Sequence, residues 1–108
     1  MELSDIALLP TARKVLKFMH KNSHIRIISM LNTANNLQFC LYNKFTQRKL
    51  MVSTKRQHYK EQITLAKNTE RLISQRAFNG LLKENLIQEE TPGMYALTLF
   101  AKDVLKDT

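Results

Sequence analysis

Apolar positions recur with a helical period in two parts of the chain. In the first part they follow Pro10, a residue suited to the first position of a helix, and they predict a helix over residues 10–22. In the second they predict a helix over residues 75–85. The positions expected to face the core are Val15, Leu16, Phe18 and Met19 in the first helix and Ala77, Phe78, Leu81 and Leu82 in the second.

Residues 24–52 have two interpretations. Ile25, Ile27 and Ile28 indicate a strand, residues 32–36 a turn, and residues 37–42 a second strand. The spacing of four between Leu37, Leu41 and Phe45 is also compatible with a helix over residues 36–49. The polar and basic residues 53–60 indicate an exposed loop or the start of a helix.

The rest of the chain predicts short elements. Thr64 is a suitable cap for a helix over residues 65–72. Residues 86–90 and 95–98 indicate two strands, joined by a turn in which Pro92 and Gly93 occupy the places typical of a type II turn. A last helix is predicted over residues 99–107.

Size and composition favour one small cytoplasmic domain. The 108 residues are 44% hydrophobic, which is enough for a core, and no apolar run approaches the ~18 residues of a membrane span. The N-terminus lacks the long apolar stretch of a secretory signal. Cys40 is the only cysteine, so an internal disulfide is excluded. The predicted fold class is α+β and mainly helical.

Positive charge is concentrated in one half of the chain. The net charge is +8, and residues 6–60 contain no acidic residue. Counterion release makes nucleic acid the most favourable partner for such a distribution. The eleven basic residues of this segment are Arg13, Lys14, Lys17, Lys21, Arg26, Lys44, Arg48, Lys49, Lys55, Arg56 and Lys60.

The order of a short helix, a tight turn, a longer helix and a hairpin resembles the winged helix-turn-helix family of DNA-binding domains. The residues that carry the resemblance are Ile63–Ala66, Ile73–Ile87 and Tyr95–Thr98. It implies one domain over residues 1–108, with a small β-hairpin wing. Within it, residues 1–23 form an N-terminal helical segment, residues 60–98 the helix-turn-helix and wing, and residues 99–108 a C-terminal helix.

The predicted helix 75–85 has an outward stripe with base-reading chemistry. Gln75, Arg76 and Asn79 carry side chains that pair with base edges in the major groove, and Gly80 is also expected to lie outward. Residues suited to phosphate surround this stripe in the sequence. They are Lys44, Arg48, Lys49, Lys55, Arg56, Lys60, Lys67, Arg71, Ser74 and Lys83.

Two further contacts are expected. Glu89 and Glu90 would repel phosphate, so we expect the wing to pack within the fold or to meet a protein partner instead of DNA. Apolar residues near the chain ends exceed what so small a core needs and predict a homodimer. These residues are Leu8, Leu9, Leu99, Phe100, Val104 and Leu105.

Enzymatic chemistry has no support in the sequence. Residues 6–60 contain no carboxylate to assist a histidine, and there is no glycine-rich phosphate loop. His20, His24, His58 and Cys40 do not have a convincing zinc-site spacing, so we expect neither metal nor cofactor. The hypothesis is sequence-specific double-stranded DNA binding, as a transcriptional regulator or as a plasmid or viral replication or partition factor. The alternatives are a basic RNA-binding or nucleoprotein component and a protein-interaction module.

Overall fold

The computed structural model describes residues 2–31, 34–52, 59–61 and 73–106, with the backbone alone for 50–52 and 59–61. After a 3₁₀ turn at Leu3–Asp5 come three α-helices and six strands. The helices are α1 (Pro10–Lys21), α2 (Gln75–Lys83) and α3 (Leu99–Leu105). The strands are β1 (Ile25–Leu31), β2 (Leu37–Asn43), β3 (Arg48–Val52), β4 (Tyr59–Glu61), β5 (Ile87–Thr91) and β6 (Met94–Leu97).

The six strands form one antiparallel sheet in the order β4-β3-β2-β1-β6-β5. Strand β1 pairs with β2 along its whole length, from Ile25 opposite Asn43 to Leu31 opposite Leu37. On its other side it pairs with β6, where Ile27 lies opposite Tyr95. The hairpin β5–β6 is therefore joined by hydrogen bonds to the N-terminal strands.

This sheet overturns the predicted fold class. The predicted mainly helical fold with only a small β-hairpin wing is wrong, because among the described residues the strands hold about as many residues as the helices and the hairpin belongs to a six-stranded sheet. The winged helix-turn-helix superfamily stays a prediction. The helix considered over 36–49 is also wrong. A spacing of four is a multiple of two, so residues four apart share a face in a strand as well as in a helix.

The core lies between the three helices and one face of the sheet. In β1 and β2, alternate side chains such as Ile25, Ile27, Phe39 and Leu41 are buried on this face. The helices contribute Ala12, Val15, Leu16 and Met19 from α1, Ala77, Phe78 and Leu81 from α2, and Ala101, Val104 and Leu105 from α3.

The predicted boundaries in the C-terminal half are close to those observed. Asn85 has φ 59° and ends α2 in a left-handed residue, with the Leu86 N–H donating to the Leu81 carbonyl at 3.0 Å. Gly93 has φ 78°, as the predicted type II turn requires. Thr98 caps α3, because its hydroxyl accepts from the Ala101 N–H at 3.0 Å. The predicted helix over residues 65–72 lies outside the described residues.

Glu90 links the hairpin to the other strands. Its carboxylate accepts hydrogen bonds from Arg26 of β1 and from Lys44, which follows β2, the latter at 2.9 Å. Arg26 also donates to the Ser23 carbonyl at 2.6 Å. The hydrogen bonds from Lys44 and then Arg26 hold the pKa of Glu90 below its ordinary value. Glu90 therefore stabilises the contact between the two halves of the sheet when it is ionised.

Leu105→Ala should destabilise the protein by about 2–5 kcal/mol, because Leu105 is 0% exposed and its loss leaves a cavity. Lys102→Ala on the same helix is the control, since Lys102 is exposed, and it should change stability by less than about 0.5 kcal/mol. Urea unfolding at several protein concentrations measures both. Equal effects of the two substitutions would show that α3 does not bury the face described.

Glu90→Gln should lower stability at pH 7 by about 0.5–1 kcal/mol, since both ion pairs lie near the surface. The folded-state pKa of Glu90 is depressed, so its contribution is present above the unfolded value of about 4.3 and is lost as pH falls through the folded pKa. The difference from the wild type should therefore disappear in acid. Urea unfolding between pH 7 and pH 3 measures it, with Asp103→Asn, at an exposed carboxylate, as the control.

Candidate nucleic-acid interface

Helix α2 is held against the sheet by an aromatic cluster. The ring of Phe78 stacks on Phe39 of β2 with centroids 3.7 Å apart, and meets Tyr95 of β6 edge-on at 4.9 Å. At the start of the helix, the Ser74 hydroxyl accepts from the Ala77 N–H at 3.1 Å. Leu81 is buried one turn after Phe78. These contacts set the rotation of α2 about its axis, and hence which side chains it turns to solvent.

The outward stripe of α2 consists of Gln75, Arg76, Asn79 and Lys83, all exposed. At about 100° per residue, these positions fall within an arc of about 100° opposite the buried side. In the described part of the chain, none of these side chains has a hydrogen bond or ion pair. The stripe is thus a row of unpaired polar and cationic groups on an anchored helix.

Two other positions of α2 differ from the prediction. Leu82 was expected in the core but is 40% exposed, beside the stripe. Gly80 was expected outward but is half-buried, and a Cβ added there would lie 3.9 Å from the side chain of Leu8. Gly80 therefore faces the N-terminal segment. The predicted core side of α2 was therefore rotated by about 25–50° from the observed one, because Leu82 was counted with the core.

Helix α1 packs beside α2 on the same side of the sheet and also presents cations. Lys14, Lys17 and Lys21 recur at a spacing of three to four, opposite the buried Val15 and Leu16. Neither α1 nor α2 contains an acidic residue. The outer surface of this helix pair is therefore cationic, a surface that the α2 stripe alone did not predict.

Other basic residues serve the fold. The Arg13 guanidinium donates to the backbone carbonyls of Leu3 at 3.1 Å and Ile6 at 2.7 Å, which ties the N-terminal segment to α1. Arg26 and Lys44 are engaged by Glu90, as described above. Of the basic residues between positions 13 and 26, Arg13 and Arg26 are therefore committed to internal contacts.

The predicted phosphate contacts are scattered. Lys83 lies on the α2 stripe and Ser74 caps that helix, whereas Lys44 and exposed Arg48 lie at the far end of β2. Phe39, which packs under α2, and Asn43 are four residues apart on β2, or about 14 Å. Lys49 is half-buried on β3, and Lys60 lies on β4. Lys55, Arg56, Lys67 and Arg71 lie outside the described residues.

The acidic residues of the hairpin already have partners. Glu90 binds Arg26 and Lys44, and the Glu89 carboxylate accepts from the Gly93 N–H at 3.1 Å. Burial, followed by the neighbouring Glu89, raises the pKa of the Tyr95 hydroxyl. The protein partner expected at this wing stays a prediction, but both carboxylates are engaged within the chain.

The apolar residues expected at a dimer interface are mostly covered within one chain. Val104 and Leu105 are buried in the core, and Leu8, Leu9 and Phe100 are half-buried against it. Leu99 is exposed. The reason given for the dimer is therefore wrong for Val104 and Leu105, because the core takes up these side chains; the homodimer itself stays a prediction.

The described histidines and Cys40 belong to different parts of the fold: His20 lies in α1, His24 in the turn before β1 and Cys40 in β2. Cys40 is buried in β2 outside the main apolar cluster, and the His24 ring stacks on Phe45. His58 lies outside the described residues. Within the described ranges, no three His, Cys, Asp or Glu side chains are grouped so as to hold a metal ion.

Comparison with known proteins adds no assignment. The chain matches no protein-family model, no curated protein and no solved structure. Among the helices described, none has both the length and the apolar character needed to cross a membrane. The resemblance of residues 63–98 to winged helix-turn-helix domains thus rests on their sequence phrases alone.

Proposed function

We propose that this protein binds double-stranded DNA sequence-specifically through helix α2. The observation that carries the proposal is the row of Gln75, Arg76, Asn79 and Lys83, exposed and without partners in the described residues, on a helix whose other side is locked by Phe78. Preorganised polar groups of this kind are available to bind an external partner. The hydrogen-bonding chemistry of their side chains indicates which partner they suit.

The three N-terminal groups of the row suit base edges. An arginine guanidinium donates two parallel hydrogen bonds to O6 and N7 of guanine, and asparagine or glutamine pairs with N6 and N7 of adenine. The nine residues of α2 give a helix of about 13–14 Å, comparable with the ~12 Å width of the major groove. Arg76 is therefore assigned to a guanine, and Gln75 and Asn79 to neighbouring base pairs.

The surrounding cations suit the phosphate backbone. Lys83 lies at the C-terminal end of the row, and Lys14, Lys17 and Lys21 extend the positive surface along α1. The N-terminus of α2, capped by Ser74, adds backbone N–H groups and a favourable dipole for a phosphate. With a net charge of +8, the protein gains affinity from counterion release on any duplex. These contacts position the helix, while its polar row reads the sequence.

A small regulator of transcription, or a replication or partition factor of a plasmid or virus, is the role that fits such a domain. It would act in the cytoplasm without cofactor or catalysis. As a homodimer it would place two copies of α2 in successive major grooves about 34 Å apart. Exposed Leu99 and the half-buried Leu8, Leu9 and Phe100 are the apolar groups that remain for the dimer contact.

Replacement of Arg76 and of Lys17 should have different effects on binding. After selection of a preferred site from random duplexes, Arg76→Ala should cost about 1–3 kcal/mol on that site and much less on unrelated DNA. Lys17→Ala should weaken both duplexes about equally and reduce the slope of log K against log salt by about 1. Binding isotherms on both duplexes at three salt concentrations measure this.

Gln88→Ala serves as the control for both variants, because Gln88 is exposed on β5 and not on the helix pair. Equal weakening of site and non-site duplexes by Arg76→Ala would contradict the assignment of α2 as the reading helix. A protein that prefers RNA of matched length would instead favour the RNA-binding or nucleoprotein alternative. One that binds no nucleic acid at low salt would favour the protein-interaction module.

The homodimer predicts an apparent mass of twice 12.6 kDa in sedimentation at micromolar concentration. Leu99→Asp should shift the equilibrium towards the monomer, since it places a charge at the most exposed apolar position. A wild-type protein that sediments as a monomer over a wide concentration range would refute the dimer without affecting the assignment of α2.

A further inference from the structure

An aromatic ring is exposed at the turn between β2 and β3. Phe45 is 78% exposed, although it is a large apolar side chain. One side of its ring stacks on His24, with centroids 5.3 Å apart and planes inclined by 11°. The opposite side of the phenyl ring is open to solvent. The His24 and Phe45 rings thus form a stacked aromatic pair, and the outer face of the Phe45 ring is exposed to solvent.

The turn that presents Phe45 is held by hydrogen bonds from Asn43. This residue is 3% exposed, and its side-chain oxygen accepts from the N–H groups of Phe45 at 2.9 Å and Thr46 at 3.1 Å. The Gln47 N–H donates to the Asn43 carbonyl at 2.7 Å, and Gln47 adopts φ 59°. The Lys44 N–H donates to the His24 carbonyl at 3.0 Å, which joins the turn to the start of β1. The ring is therefore displayed on a rigid turn.

The charges around this ring are positive. Lys44 and Arg48 flank Phe45 in the sequence, and Lys21 ends α1 just before His24. The segment from residue 6 to 60 supplies no carboxylate, and Glu90, which reaches Lys44, is already bound by two cations. An exposed ring alone also suits an acidic or neutral apolar protein surface. An open aromatic face among cations, however, is the arrangement that binds single-stranded nucleic acid.

We infer that Phe45, backed by His24, is a stacking site for an unpaired nucleobase, with Arg48 and Lys21 binding the adjacent phosphates. Within a duplex the faces of the bases are covered by their neighbours, so this ring can stack only on a base that is single-stranded, displaced or at an end. The site is separate from α2, which packs on β2 at Phe39, about 14 Å along the strand from the turn. The protein would then have one surface for duplex and another for an opened strand.

A tryptophan probe tests the contact directly. The chain has no tryptophan, so Phe45→Trp introduces a single indole at the site. Stacking on a base should quench its fluorescence when a single-stranded oligothymidylate is added. An oligomer of the same length and charge built from abasic sites should leave the fluorescence unchanged, because it offers phosphates without bases. A duplex of the same length, at the same salt, should quench it far less than the single strand.

Affinity measurements separate stacking from apolar contact. Phe45→Ala and Phe45→Leu should each weaken binding of the single strand by about 5- to 100-fold, since both lose the ring. Phe45→Tyr should retain the affinity, and Gln88→Ala, at an exposed residue of β5, should not change it. Because Phe45 is exposed, all variants should keep the wild-type urea midpoint, which confirms that the fold is intact.

The inference fails if no nucleic acid quenches the Phe45→Trp protein, a result that would assign the ring to a protein partner. It also fails if the abasic oligomer or the duplex quenches as strongly as the single strand, or if Phe45→Leu binds like the wild type. These outcomes are independent of α2. If Arg76→Ala loses duplex specificity but no nucleic acid quenches the indole at residue 45, the proposed function stays intact and only the stacking site is refuted. If the single strand quenches the indole but Arg76→Ala keeps its duplex specificity, only the assignment of α2 is overturned.

Discussion

The packing of Phe78 against Phe39 and Tyr95 is the contact on which the arrangement of the molecule depends. Phe39 belongs to β2 and Tyr95 to β6, so one ring of α2 touches strands from both halves of the chain, on either side of β1. Rings at such distances bury a large apolar area and add favourable edge-to-face geometry. Because the ring fixes the rotation of α2, it also decides which side chains of that helix reach solvent.

The basic residues fall into two groups once the chain is folded. Arg13 and Arg26 bind backbone carbonyls, and Arg26 and Lys44 share the carboxylate of Glu90, so these cations support the fold. The cations of the α1–α2 surface have no such partner in the described residues. A like-charged surface without internal neutralisation repels itself, and an external polyanion relieves that repulsion. Some of the basic residues therefore stabilise the fold, and those of the α1–α2 surface are available to bind a polyanion.

Local patterns predicted many of the elements. Capping residues, turn residues and apolar periodicity, all of which are signals from residues close together in the sequence, predicted three helices and one turn. These are the helices that begin at Pro10, at Gln75 and after Thr98, and the Pro92–Gly93 turn. The extent of the sheet was not predictable in the same way, because a strand is defined by its partner. Strands β3 and β4 have weak patterns, and the pairing of β1 with β6 joins residues more than 60 positions apart.

The sequence by itself determined the excess of positive charge, the absence of acids from residues 6–60 and the polar row of Gln75, Arg76 and Asn79, since composition and helical spacing are properties of the chain alone. Only the tertiary structure decided that Leu82 and Phe45 are exposed, that Val104 and Leu105 are core, and that Arg13 and Arg26 are bound within the fold. The physical reason is that burial and ion pairing depend on residues distant in the sequence. Arg26 and Glu90 are 64 positions apart, and no local pattern around either one records that they meet.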